Sequence, residues 1–323
     1  MLFKYLGKKN VGCQDLIRDY LPTYGPQRKQ RAFEAALEKH RNDDGEIIVT
    51  HVMSNQDEMA SAVFEKKPFT LTLDKGFYDY TKAREGEDTW FVNFADPTLF
   101  VAYDKTLFAQ DEIQTLEMPL LAAFKKYIES RSIGGFAPLT NAYGNPTPYL
   151  FKGVPYWISV NTSPVLKDGN IESIYGNNFM DASDEAIEAG IRTFEGDLRC
   201  NVFAISAPAG GYGRYSEEEL TELMKTLICS YSAVREQAKG KVVIHSGNWG
   251  CGAFGGNREL MYLSQIYAAS VCGIDELVLH AVDEEVLERA KSLYEYMDKK
   301  MKFADVVAFL HSRKYEWGEG DGN

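Results

Sequence analysis

Ser246-Gly247-Asn248-Trp249-Gly250-Cys251-Gly252-Ala253-Phe254-Gly255-Gly256-Asn257 sets five glycines within twelve residues. An apolar run, Val242-Val243-Ile244, precedes it, and a longer run with helical spacing follows. Glycine permits left-handed backbone and lets a ligand approach the main chain closely. Amides that run from such a loop into a helix N-terminus form an anion site, most naturally for phosphate. A plain strand-to-helix turn needs one or two glycines, and this loop also carries Asn248, Trp249 and Phe254.

Around that loop the pattern alternates. Asn201-Val202-Phe203-Ala204-Ile205, Val242 to His245 and Glu276-Leu277-Val278-Leu279-His280 read as strands, by their β-branched and apolar runs. Ser216 to Glu236, Phe254 to Cys272 and Asp283 to Lys300 read as helices, with a capping-box start at Ser216-Glu217-Glu218-Glu219 and Gly273 closing the second. Such alternation predicts an α/β fold with a parallel sheet covered by helices on both faces. Ligands in such sheets sit outside the carboxyl ends of the strands, where the glycine stretch falls.

Upstream, Trp90-Phe91-Val92-Asn93-Phe94 reads as a buried strand and 109–130 as one helix. Residues 131–182 are rich in Gly, Pro and Asn around a strand at 156–160, and Ser183 caps a helix reaching Phe194. Before that lie a charged helix over 27–41, strands at 46–52 and 69–73, and a helix over 57–64. The charged, turn-rich 74–88 stretch sets a boundary, giving an N-terminal accessory α+β segment over 1–85 and a main domain over 86–312. The Gly-rich end makes 313–323 a disordered tail.

The net charge of -12 argues against a sequence-independent nucleic-acid binder. It does not argue against a small anion held by backbone amides. Five cysteines without a CxxC predict neither a metal site nor a disulfide framework, and fit a reducing compartment. The start shows no apolar signal region and no run long enough to span a bilayer, so no membrane association and a cytoplasmic protein, or one delivered to a host cytosol, are expected.

A second constellation comprises Asn93, Asp96, Asp104 and Gln110-Asp111-Glu112. Taken alone, Gln110-Asp111-Glu112 is an ordinary acidic first helical turn. Beside a phosphate loop on the same sheet, Asp96, Asp104, Asp111 and Glu112 become candidate catalytic acids, since paired carboxylates cleave glycosidic bonds. No metal ligand set and no cofactor is called for.

Gly247-Asn248-Trp249-Gly250-Cys251-Gly252-Ala253-Phe254-Gly255-Gly256 resembles the diphosphate loop of the poly(ADP-ribose) glycohydrolases, a branch of the macrodomain fold. A looser likeness runs over roughly 88–312. The resemblance implies a macrodomain-like mixed, largely parallel sheet, with ADP-ribose as ligand and Gly247 to Gly255 on its diphosphate. Gln110-Asp111-Glu112 stands where the family has Gln-Glu-Glu, which implies an acid/base role for Glu112. Asn93 stands on a family aspartate, and Asp96 on an asparagine that contacts the distal ribose. The family's Gly-Gly-Gly is here Phe100-Val101-Ala102, where side chains hinder close approach. With Asp96 and Asp104 added to the loop, the pattern is similar to the MavL-type hydrolases that remove ADP-ribose from arginine.

The implied activity is therefore hydrolysis of ADP-ribose from an ADP-ribosylated protein, arginine-linked in particular. Two alternatives stand: a poly(ADP-ribose) glycohydrolase, and a non-catalytic ADP-ribose reader.

Overall fold

The computed structural model describes residues 1–318 and 320. Eight strands form its main sheet: β1 (Phe3–Gly12), β2 (Glu46–Ser54), β3 (Thr70–Asp74), β4 (Glu87–Phe94), β5 (Tyr149–Pro155), β6 (Arg199–Ile205), β7 (Lys241–Ser246) and β8 (Glu276–His280). Their order is β1-β2-β5-β6-β4-β7-β8-β3. The pairings from β6 through β4, β7 and β8 to β3 are parallel, and those joining β1, β2, β5 and β6 are antiparallel. Five neighbouring strands thus end at one edge, and the functional loops follow those ends.

Alternation along β4 shows how the sheet is buried. Trp90 and Val92 enter one apolar cluster with helices α4 (Glu217–Gln237), α5 (Arg258–Cys272) and α6 (Glu284–Tyr296). Phe91 enters the opposite cluster with α1 (Gln27–His40), α2 (Gln110–Glu117) and α3 (Leu120–Arg131). A period of two on a sheet covered on both sides requires both faces to be apolar, and this strand supplies that. The mixed α/β architecture expected from the sequence is present.

The N-terminal segment is not a separate layer. β1 and β2 extend the sheet through β5, and β3 forms its far edge beside β8. β1 exposes Lys4, Tyr5 and Leu6 in a row and then Lys8, Lys9 and Asn10, a pattern without the alternation that marks a sheet strand. A boundary at residue 85 therefore divides one sheet.

Local departures have local causes. The expected 109–130 helix breaks at Met118-Pro119 into α2 and α3, because proline removes an amide and crowds the preceding turn. The glycine stretch stays irregular as far as Asn257, which caps α5 by accepting from the Leu260 amide at 3.2 Å. The helix expected to reach Phe194 ends at Gly190, and Ile191–Thr193 pairs with Ile158–Val160 instead.

The tail expectation also changes. Trp317 stacks on Tyr215 at 4.1 Å and its amide donates to Gly213 O at 2.8 Å, while the Gly318 amide donates to Gly255 O at 2.8 Å. Residues 319 and 321–323 lie outside the described residues. Among the described residues no helix is long and apolar enough to cross a membrane.

Candidate functional site

The loop after β7 is tied down before it reaches the cleft. Trp249 is buried, and its indole N–H donates to Ile205 O, at the end of β6, at 3.0 Å. Burying a side chain of that size removes roughly 150–250 Å² from water, about 4–6 kcal/mol before entropy. Trp249 is thus the anchor of the loop, with the core role outweighing ring stacking on a ligand. Asn248 donates to Ala281 O at 2.9 Å, beyond β8. A Cβ on Gly247 would lie 2.7 Å from His280 O, so the loop leaves the sheet where only glycine fits.

Past that anchor the chain folds back on itself. Gly250 and Gly255 take φ of 76° and 70°, the left-handed region that glycine enters without strain. The amides of Cys251, Gly255 and Gly256 close the turn onto Asn248 O, Cys251 O and Gly250 O at 2.9–3.1 Å. Those of Gly252, Ala253 and Phe254 donate to no acceptor among the described residues. Three consecutive amides without an acceptor, beside a cleft, are donors open to a ligand.

That cleft holds about 360 Å³. Asn248 to Phe254 line one side, and Asp96, Val101, Ala102, Gln110, Asp111 and Glu112 the other, so the glycine loop and three of the four acids face the same space. The walls come from the ends of β4 and β7 and the start of α2, brought together by parallel pairing of β4 with β7. Gln110 fastens this edge: its amide donates to Val92 O at 3.1 Å and accepts from the Phe94 amide at 2.7 Å.

The acids are not equivalent. Asp111 accepts from the Asn93 side-chain amide at 2.9 Å, and both residues are buried. Burial, reinforced by the Glu112 charge, pushes the Asp111 carboxyl well above the carboxylate range. Asn93 Oδ1 has no partner, which leaves an acceptor for a protonated Asp111. Burial also raises Glu112, whose carboxylate accepts from the Ala109 amide at 3.0 Å. Asp96 is half-buried and accepts from the Thr98 amide at 2.9 Å.

Asp111 is therefore expected to behave as a neutral acid. With its folded pKa raised, the native state holds an extra proton above the ordinary value, so stability falls as pH rises through that window. Asp111→Asn keeps the shape without the proton. It should be more stable than the parent at neutral pH and equal to it below about pH 4. Denaturant unfolding at both pH values measures this; a gap of the same size at both would refute it.

Four sequence expectations land elsewhere. Asp104 does not line the cleft: its carbonyl accepts from the Gly25 amide at 3.0 Å and its carboxylate pairs with Lys105. Asn93 lies behind the wall on Asp111, and Gly255 is a buried turn residue. Phe100 takes φ of 49° and turns its ring onto Phe151 at 5.7 Å in the core, so Val101 and Ala102 alone narrow the cleft. Holding a left-handed phenylalanine costs roughly 1–3 kcal/mol, offset by burying its ring.

The structure adds residues that no local pattern marked. An aromatic slot of about 90 Å³ adjoins the cleft, walled by Phe77, Tyr78, Phe94 and Tyr175, with Gly247 and His280 at the strand ends. Phe77 and Tyr175 stack at 5.6 Å and belong to both compartments. His245 and His280 bond to each other at 2.8 Å; burial lowers both, His245 to about 4, so they serve as neutral packing groups. Arg258 lies on the cleft rim at the start of α5.

Residues 173–289 match a family model described as Poly (ADP-ribose) glycohydrolase (PARG), Macro domain fold. The matched segment contains the whole glycine loop and α5, and the acids at 96–112 precede it. Among solved structures the chain is similar to poly(ADP-ribose) glycohydrolase from Deinococcus radiodurans in complex with ADP-ribose. One crystal form gives 14% identity over 87% of this chain and 98% of that one, with a TM-score of 0.41. A second gives 15% over the same shares, also at 0.41. The apo form gives 12% over 87% and 97%, at 0.38.

Proposed function

We propose that the chain hydrolyses the bond between ADP-ribose and a protein side chain, with arginine-linked mono-ADP-ribose as the substrate. The observation that carries this reading is one cleft lined both by Gly252–Phe254, whose amides have no acceptor among the described residues, and by Asp96 and Glu112. The amides take the diphosphate, and the aromatic side chains of the adjoining slot take the base. The distal ribose then lies toward the acids. The glycohydrolase family match over the glycine loop supports ADP-ribose as the ligand.

In this mechanism Glu112 accepts a proton from water as the water attacks the anomeric carbon. The carbon–nitrogen bond to the guanidine breaks, and the proton passes to the departing nitrogen. Asp96 stabilises the cationic sugar and grips the guanidinium through charge-assisted hydrogen bonds. Asp111, held neutral on Asn93, supports the wall. The reaction as written uses water, two carboxylates and backbone amides, with no cofactor step. Val101 and Ala102, in place of the resembled glycines, favour a slim side-chain leaving group over a second ribose.

Cleavage of poly(ADP-ribose) itself is the second reading, favoured by the family match. The panel that separates them is poly(ADP-ribose), arginine-linked and carboxylate-linked mono-ADP-ribosylated proteins, each followed by release of free ADP-ribose. Release from the arginine-linked protein alone is the expected result. Release from polymer alone would replace the first reading by the second, and binding without release from any would leave a reader.

A further inference from the structure

We propose that the N-terminal segment is part of the reaction apparatus, with Lys29 as a positioning residue that clamps the loop entering α2 and sets a cation beside the acid pair. Lys29 is fully buried, an unusual place for an ammonium. Its Nζ donates to Lys105 O at 2.7 Å and to Leu107 O at 2.6 Å, and lies over the Phe108 and Phe179 rings at 5.3 and 5.8 Å. Four residues before it, the Gly25 amide donates to Asp104 O at 3.0 Å. A Cβ at Gly25 would stand 2.7 Å from that oxygen. Tyr24 meets Tyr103 edge-on at 5.8 Å and donates to Thr115 O in α2 at 3.0 Å. Residues 103–107 are thus held from one side by 24–29, immediately before Ala109 to Glu112 begin the helix.

Charge ties Lys29 to the same acids. An ammonium taken out of water needs anions close by. Burial lowers the Lys29 ammonium to about 8, which leaves it charged at neutral pH; the anions that oppose burial are Glu112 first, then Asp104 and Asp111, and Asp96 acts on the same acid pair. Lys105 on the loop pairs with Asp104, and Arg28 on α1 turns to Asp184 and the Phe179 and Ala182 carbonyls. Arg258 lines the rim of the same cleft, while the cation that acts on the Glu112 carboxyl is Lys29. Lys29 therefore opposes the burial that would protonate Glu112. The sequence offers no sign of this, because Lys29 sits in an ordinary charged helix far from the motif.

The inference rests on the hydrolytic reading above, and two variants of the full chain test it. Lys29→Met removes the charge and both loop bonds; Gly25→Ala displaces the loop and leaves the charge. Melting, ADP-ribose affinity and the pH profile of turnover on arginine-linked substrate are the measurements. In Lys29→Met, affinity is expected to hold while turnover falls on the order of 10²-fold, the loss that about 1 Å of misplacement produces. The acidic limb of the profile should move to higher pH, since Glu112 without its cation ionises later. Gly25→Ala should lower turnover without moving that limb. A folded Lys29→Met protein with parental turnover and an unmoved limb overturns the proposal. If Lys29→Met does not fold, parental turnover in Gly25→Ala does so. Should the unaltered chain hydrolyse nothing, the functional reading fails separately. Amide exchange at 103–108 then decides the clamp: faster exchange in Gly25→Ala supports it, and unchanged exchange ends it.

Discussion

Glu112→Gln is expected to slow hydrolysis by on the order of 10² to 10⁴, while ADP-ribose affinity stays nearly unchanged. That range equals about 3–5 kcal/mol of lost transition-state stabilisation. The glutamine keeps the size of the side chain and an oxygen for the Ala109 amide, which now bonds Glu112 at 3.0 Å. What it loses is the capacity to take a proton from water. Because burial raises the Glu112 carboxyl, the parent protein is expected to gain activity as pH rises through a value above that of an ordinary glutamate. The variant should lack that limb. Full turnover in Glu112→Gln would remove Glu112 from the mechanism and pass the base role to Asp96, since burial keeps Asp111 protonated. A variant that loses binding and turnover together would point to a collapsed wall, which melting detects.

Gly252→Phe is expected to abolish measurable ADP-ribose binding and with it all turnover. Gly252 lines the cleft and opens the run of three unengaged amides. Its backbone is not among the left-handed positions of the loop, which are Gly250 and Gly255, so the substitution tests the ligand space more than the turn. A hydrogen bond to a charged group contributes about 1.5–3 kcal/mol. Blocking two of the three would therefore weaken binding by more than about 10²-fold. Calorimetric titration with ADP-ribose measures it, and Gly252→Ala should fall between the two. Parental affinity in Gly252→Phe would refute the placement of the diphosphate on these amides.

The contrast between the two variants follows from how the cleft is divided. One side offers backbone amides and carries no carboxylate. The other carries Asp96, Asp111 and Glu112 with Lys29 behind them, so pH dependence belongs to that side. In the loop between β4 and α2 three consecutive side chains are placed unequally: Phe100 keeps a left-handed backbone and does not line the cleft, whereas Val101 and Ala102 do. Side-chain identity at those two positions is thus where substrate choice is open to change.

Much of this was legible in residue order. The apolar run, glycine cluster and helical run around 242–272 imply a strand, a loop and a helix through local steric preferences alone. The alternation downstream of residue 200 implies a parallel sheet, since each strand needs a crossover to lie parallel to its predecessor. The acids at the start of α2 were visible as a first helical turn. Other features depend on contacts between distant parts of the chain, which no local pattern encodes. β1 joins the sheet although its exposed edge residues hide the alternation. Asp104 does not line the cleft and its carbonyl is held by Gly25, while Asn93 and Asp111 share a buried bond across eighteen positions. Phe77 and Tyr175 stack from segments almost a hundred residues apart. Sequence alone determined the glycine loop and the acids, because backbone freedom and charge belong to single residues. Only the tertiary structure decided which acids face that loop, which is kept neutral and which lysine stands behind them, because burial and proximity arise when distant segments pack.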